Sequence, residues 1–227
     1  ILPYYCTIGG WVFKYFALFA TGSGSDAVKD SFFTDYIQSD VSPIVFGIIF
    51  LAATAFIVIS GVDKGIERYS KILMPVLLVL IIGISIFSLT LSHKGADGVV
   101  RTGLDGFKIY VIPDFTGLTF KKLFMVIVDA LGQLFFSISV AMGIMVAYGS
   151  YVKKEVNLMN SINQIEIFDT AVAFLAGLMI VPAVFVFSGT EGMGAGPSLM
   201  FVSLPKVFAA MGKAGIFVGI LFFVTAI

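Results

Sequence analysis

The sequence predicts an all-α polytopic membrane protein, and three observations carry that expectation. Hydrophobic residues make up 59% and charged residues only 12% of the 227, with a mean hydropathy of +1.04, whereas soluble domains run near 45–50% apolar and about 25% charged. The apolar residues gather into stretches long enough to cross a hydrocarbon core, which takes about 20 residues of helix. Finally, 24 glycines and 24 phenylalanines suit helices that pack closely on one face and meet lipid on the other.

Six spans are expected in order, at about 1–20, 43–61, 70–92, 123–149, 167–188 and 212–227. Both ends of the chain fall inside apolar runs without a charged leader or cleavage signal, so the chain reads as a piece of a longer protein, a single transmembrane domain fragment over 1–227. The links 62–69 and 150–166 are short and carry Lys64, Arg68, Lys153 and Lys154, which favours the cytoplasmic side by the positive-inside rule against Lys121 and Lys122, which abut a span on the other side. Links 21–42 and 93–122 are longer and carry several aspartates. The stretch 189–211 is too apolar for a plain turn. It reads as a hairpin packed on the outer face or, equally, as an interfacial helix interrupted at Pro205.

Composition also excludes classes of function. Formal net charge is zero, so no nucleic-acid partner is expected. A single cysteine, Cys6, cannot form an internal disulfide. No HExxH, GxSxG or Walker A pattern occurs and there is one histidine, so an enzyme is not expected.

Several residues stand out against the apolar background. The run from Asp129 to Tyr151 is denser in Gly, Ser and Gln than a plain span. Ser137 and Ser139, two apart, would point about 200° from each other on a continuous helix. In a locally unwound segment near Gly143 both could face one cavity, as in transporters whose broken helices offer carbonyls and helix ends to ions. The alternative is ordinary small-residue helix packing. Asp169 stands a few residues into the fifth span, where a carboxylate is costly and therefore suggests a cation or proton site, unless the helix starts later and leaves it at the interface. Glu166, one turn earlier, reads as solvated. Tyr4 and Tyr5 are belt or packing residues, or else offer a hydroxyl to a bound carboxylate. Gly65 and Pro75 frame a segment that could unwind.

Taken together, YYCTIGGW (4–11), GVDKGIERYSKILMP (61–75), GQLFFSISVAMG (132–143) followed by YGSYVKK (148–154), DTAVAFLAG (169–177) and GPSLMFVSLPKVF (196–208) resemble, in order and over nearly the whole chain, the bacterial amino-acid transporters of the neurotransmitter:sodium symporter family. The resemblance implies a partial leucine-transporter-type inverted-repeat fold covering about the third to eighth helices, in a multi-pass protein of the cytoplasmic membrane. It implies sodium-coupled symport of an amino acid by alternating access, Na+ being the co-transported ion with no organic cofactor. A non-transporting, receptor-like or channel-like relative on the same scaffold is the alternative.

Residue by residue, the resemblance implies that Tyr5 binds the substrate carboxylate, that Phe136 forms the lid over the substrate, and that Ile1, Ser139 and Met142 line the side-chain pocket. Ser137 and Asp169 would ligate sodium, Gln133 would serve the outer gate and Tyr151 the inner gate. Gly65 and Pro75 would let the fifth helix unwind. Besides the bilayer and the amino acid, a homodimer stands as an expectation. Two departures from the family pattern matter. Many members have Asn at the Asp169 position and a chloride-binding Ser one turn later, where this chain has Ala173; a fixed carboxylate supplies the negative charge that chloride would bring, so chloride-independent transport is expected. Met142 stands where some relatives have an aromatic residue, which suggests room for a bulky hydrophobic or aromatic amino acid.

Overall fold

Glycines bring two long helices into backbone contact near the start of the chain. A Cβ on Gly10 would lie 2.8 Å from the Gly47 nitrogen, so α1 (Leu2–Ala20) and α3 (Ser42–Ile59) cross with no side chain between them at that point, as small residues permit in membrane helices. The computed structural model describes residues 2–59, 61, 67–95, 98–140, 143–152, 157–194, 196 and 198–227. They fall into two units, Ile1–Val111 with Ala171–Ile227, and Ile112–Thr170.

In the first unit the link 21–42 holds a 3-10 turn at Asp26–Val28 and a short helix, α2 (Phe32–Ile37). The helix α4 runs Glu67–Thr90, followed by a two-stranded antiparallel hairpin of β1 (Ser92–Lys94) and β2 (Val100–Thr102), with His93 opposite Arg101. Next comes α5 (Gly103–Val111), and the unit resumes within α8 (Leu158–Ser188), continuing through a 3-10 turn at Glu191–Gly194, α9 (Ser198–Ala210) and α10 (Lys213–Ala226).

The core of this unit is aromatic. Tyr15 of α1, Phe201 and Phe208 of α9 and Phe223 of α10 are fully buried. Phe33 of α2 stacks on Phe201 at 5.3 Å, and Trp11 meets Phe33 edge-on at 5.0 Å. Such ring pairs add about 0.5–1.5 kcal/mol each beyond the area they bury, and they tie the loop helix α2 and the outer helix α9 to α1. The Tyr15 and Tyr36 hydroxyls are buried without a hydrogen-bond partner among the described residues. Burial pushes the Tyr36 phenol up to about 12. Lys206 of α9 reaches Asp30 in the 21–42 link at 2.5 Å and lies over the Phe187 ring.

Two buried serines clamp α4 to α8. The Ser85 hydroxyl lies 2.7 Å from the Ile81 carbonyl and 3.0 Å from that of Leu175, while Ser88 donates to the Met179 carbonyl at 3.1 Å. Interhelical hydrogen bonds of this type are worth about 0.6 kcal/mol apiece on average in membranes. Further along α8, α5 lies so close that a Cβ on Gly106 would come within 2.7 Å of the Pro182 Cα.

Comparison with the expected spans gives several differences. The helices α3, α4 and α8 are long and apolar enough to cross a membrane by length and composition. The stretch expected as a single span at 123–149 is instead two helices in the second unit, α6 (Phe120–Ser137) and α7 (Ile144–Tyr151). The helix containing the fifth stretch starts at Leu158 rather than near 167, its first turns being too polar to read as a span but continuous with the same helix. The last stretch forms the 14-residue α10. Between 189 and 211 a single helix follows a 3-10 turn, and Pro205 sits inside it. Links 21–42 and 93–122, read only as polar connections, contain α2, the hairpin and α5. At Pro75 the helix α4 continues without a break, and Gly65 lies outside the described residues.

Candidate functional site

The break between α6 and α7 is made by hydrogen bonds that can be followed one by one. The Val140 N–H donates to the Phe135 carbonyl at 2.9 Å and the Ser139 N–H to the Phe136 carbonyl at 3.1 Å. This 6→1 and 5→2 pair is the Schellman helix stop. Its left-handed position, usually glycine, is held by Ser139 at φ 59°. Only a glycine is free of steric cost there, and for other residues the left-handed conformation costs roughly 1–2 kcal/mol. Strain of this kind persists at sites where surrounding structure holds it. Gly143, at φ 76°, opens α7. The chain therefore leaves helix and re-enters it within a few residues.

Ser137, the last residue of α6, donates its hydroxyl to the Asp169 carboxylate of α8, at 3.0 Å to Oδ1 and 3.3 Å to Oδ2. Asp169 lies eleven residues inside α8 (Leu158–Ser188), about 16 Å along its axis at 1.5 Å per residue. The reading in which the helix begins after Asp169 therefore does not hold. The α6 C-terminus adds the negative end of its helix dipole beside this carboxylate. Oxygen atoms 3.0–3.3 Å apart approach the edge of an octahedron around a calcium-sized cation, about 3.3–3.7 Å for metal–oxygen distances of about 2.3–2.6 Å. A carboxylate, a hydroxyl and a helix C-terminus form a hard, net-negative donor set that suits an alkali cation.

Beside the pair is a cavity of about 300 Å³, lined by Leu134, Ile138, Met145 and Ile165 with Glu166 and Asp169 at its polar edge. Glu166, read as solvated, thus borders the same cavity as Asp169.

The remaining expected residues are placed as follows. Phe136 is the penultimate residue of α6 and partly exposed; Gln133 lies one turn before Ser137 and is exposed. Tyr151 ends α7 with 69% of its surface exposed. Tyr5 belongs to α1 in the first unit, its ring edge-on to Tyr4 at 5.8 Å. Pro75 lies within α4. Ile1, Met142 and Gly65 lie outside the described residues.

Two charged residues escaped the sequence reading. Lys14, within α1, lies 4.9 Å over the Phe46 ring of α3 and 5.8 Å over the Tyr36 ring of α2. Asp129 stands in the middle of α6 (Phe120–Ser137), and the spacing Asp129, Gln133, Ser137, four residues each, was the pattern that could have revealed it.

The chain is similar to known transporters over most of its length. The profile of the "Sodium:neurotransmitter symporter family" matches residues 39–227. The uncharacterized sodium-dependent transporter YhdH of Bacillus subtilis is 37% identical over 211 residues, covering 92% of this chain and 44% of that protein. An uncharacterized sodium-dependent transporter of Haemophilus influenzae is 36% identical over 230 residues, 98% of this chain and 47% of its own length. The crystal structure of MhsT in complex with L-phenylalanine superposes with a TM-score of 0.81 at 36% identity, covering 97% of this chain and 47% of MhsT. The chain thus spans about half the length of the relatives it matches.

Proposed function

Because the chain belongs to the sodium:neurotransmitter symporter family and is part of a multi-pass membrane protein, we propose that the protein to which it contributes carries a hydrophobic or aromatic amino acid inward across the cytoplasmic membrane together with Na+. The observation that carries this reading is the hydrogen bond from Ser137 to Asp169 where the helix α6 breaks. An intramembrane carboxylate is costly, by about 2.5–3.5 kcal/mol on insertion scales, and a cation that it helps to bind offsets that cost. Relatives that bear the name sodium-dependent transporter support Na+ as the ion, and MhsT crystallised with L-phenylalanine supports an aromatic amino acid as the substrate class.

In this reading Ser137 and Asp169 bind Na+ as cargo. When the cation arrives, a lone pair of the Ser137 oxygen, whose O–H is donated to Asp169 in its absence, coordinates the ion while the carboxylate supplies the charge. Tyr5 meets the substrate carboxylate through its phenol hydroxyl and Phe136 covers the substrate. Ile1, Ser139 and Met142 shape the pocket for its side chain, Gln133 and Tyr151 serve the outer and inner gates, and Gly65 with Pro75 lets the helix between them loosen during inward opening. The sodium gradient does the work by making the outward-loaded state the one most readily filled. Because the negative charge at the cation is built in, transport is independent of chloride.

The test is uptake of labelled L-phenylalanine by the full-length protein in proteoliposomes, driven by an inward Na+ gradient or by choline, each with chloride or gluconate. Sodium-driven uptake that ignores chloride is the expected result. Uptake of no amino acid under a sodium gradient overturns the transport reading in favour of a receptor-like relative, and a chloride requirement overturns the built-in-charge argument.

A further inference from the structure

The helix α6 is two-faced over most of its length. At 100° per residue, Lys122, Asp129, Gln133 and Ser137 fall within about 80° of arc that Val126 alone interrupts, whereas Phe124, Ile127, Leu131 and Phe135 occupy the opposite side of Phe120–Ser137. A lipid-facing helix has no such stripe, because a carboxylate at membrane depth faces water or protein. The stripe ends on Ser137, and so on the hydroxyl hydrogen-bonded to Asp169. Asp129 is exposed and has no hydrogen-bond or ion-pair partner among the described residues. The cation nearest on the same face, Lys122, turns its ammonium back to the Gly117 carbonyl at 3.4 Å, away from Asp129. From Asp129 to Ser137 is eight residues, about 12 Å along the axis.

We propose that Asp129 is a cation-recruiting carboxylate, an outer station on the polar face of α6 that concentrates Na+ at the approach to the Ser137 and Asp169 pair. This rests on the sodium-coupled reading above and on the short links facing the cytoplasm, which puts the N-terminal end of α6 outside. A fixed negative charge raises the local concentration of cations and their rate of arrival. Asp129 is too distant from Ser137 to ligate the same ion, so its effect is on arrival and on apparent affinity, not on the geometry of the bound state. Gln133, between them, gives the ion a neutral oxygen on the way.

The experiment measures sodium activation of initial uptake rates in the full-length protein for the parent, Asp129→Asn and Asp129→Glu, at low and at high ionic strength set with choline. Asp129→Asn is expected to raise the sodium concentration for half-maximal rate about two- to tenfold at low ionic strength, from the Coulomb attraction at roughly 12 Å for effective dielectric constants between about 80 and 20. The difference from the parent shrinks at high ionic strength, the maximal rate at saturating sodium stays near that of the parent, and Asp129→Glu restores the parent's sodium dependence. Unchanged half-saturation in Asp129→Asn, a loss confined to the maximal rate, or an Asp129→Glu protein that behaves like Asp129→Asn overturns the proposal. In each of those cases the sodium dependence of the parent leaves the symport reading standing, whereas a parent without sodium dependence overturns that reading and this one with it.

Discussion

Replacing Asp169 by Asn keeps the shape of the proposed cation site and removes its charge. The amide oxygen of Asn still accepts the Ser137 hydroxyl, now 3.0 and 3.3 Å from the two carboxylate oxygens, so the geometry is conserved and the change is electrostatic. A cation held by both groups stands within about 4 Å of the lost charge, an attraction of ~1 kcal/mol in water and ~4 kcal/mol at an effective dielectric constant of about 20. The pair borders an open cavity, which favours the lower part of that range. A loss of about 1–3 kcal/mol corresponds to a rise of roughly 5- to 150-fold in the sodium concentration for half-maximal uptake, at tenfold for each 1.4 kcal/mol. Added chloride should recover part of that loss in Asp169→Asn and leave the parent unchanged. The assay is sodium-activated uptake of L-phenylalanine in proteoliposomes, with chloride replaced by gluconate in one arm. Ser137→Ala serves as the comparison, because loss of one neutral hydroxyl is worth about 0.5–1.5 kcal/mol, or about two- to twelvefold. A chloride-free half-saturation for Asp169→Asn within about twofold of the parent, or a larger effect from Ser137→Ala, refutes the argument that the fixed charge holds the ion.

Three further outcomes follow from packing and capping. A methyl on Gly106 would sit 2.7 Å from the backbone of Pro182, against an ordinary contact of 3.4–4 Å, so Gly106→Ala should destabilise by about 1–3 kcal/mol in thermal unfolding in detergent, while Gly83→Ala, with nothing within 4 Å, should be neutral or slightly stabilising; equal melting points for the two would contradict the α5 and α8 contact. Ser139→Gly should relieve the left-handed strain and raise thermal stability by about 0.5–1 kcal/mol, and Ser139→Val should lower it; the opposite order would mean the helix stop is built differently. The Asp105 carboxyl is held below the usual range by the Thr102 hydroxyl and by Lys108. Its contribution to α5 is therefore full above the ordinary carboxylate value of about 4, and is lost as pH falls through the lowered native value. The protection factors of the α5 amides, taken against the intrinsic exchange rate at each pH, should fall on acidification through that window, and protection that stays flat would dismiss the role of the Thr102–Asp105 contact.

Much of the site was legible before any coordinates, because hydropathy is a local property. Asp169 and Ser137 stand out as polar groups in apolar runs and are paired by the family resemblance, while the Gly and Ser density of 132–143 leaves an unwound segment and ordinary helix packing both open. Other partners were not legible. Asp129 passes as one charge in an apolar run until α6 is known to be helical from Phe120 to Ser137, when it joins Gln133 and Ser137 on one face. Lys14 likewise has no evident partner in α1, and only the approach of α2 and α3 supplies the Tyr36 and Phe46 rings beneath its ammonium. The links 21–42 and 93–122 were read as connections because short helices such as Phe32–Ile37 and Gly103–Val111 gain their stability from docking, which periodicity over so few residues does not report.

By itself the sequence determined the solvent this protein lives in and the order of its long apolar segments, since each is a sum over neighbouring residues. The tertiary structure decided where the helix of 123–149 stops and which residue bears the strain of the stop, Ser139 and not Gly143 alone. It also decided that two oxygens 32 residues apart in the chain come within hydrogen-bonding distance. Those outcomes depend on how α6 and α8 approach one another, and helix approach is set by the packing of all the side chains between them, which no single stretch of sequence contains.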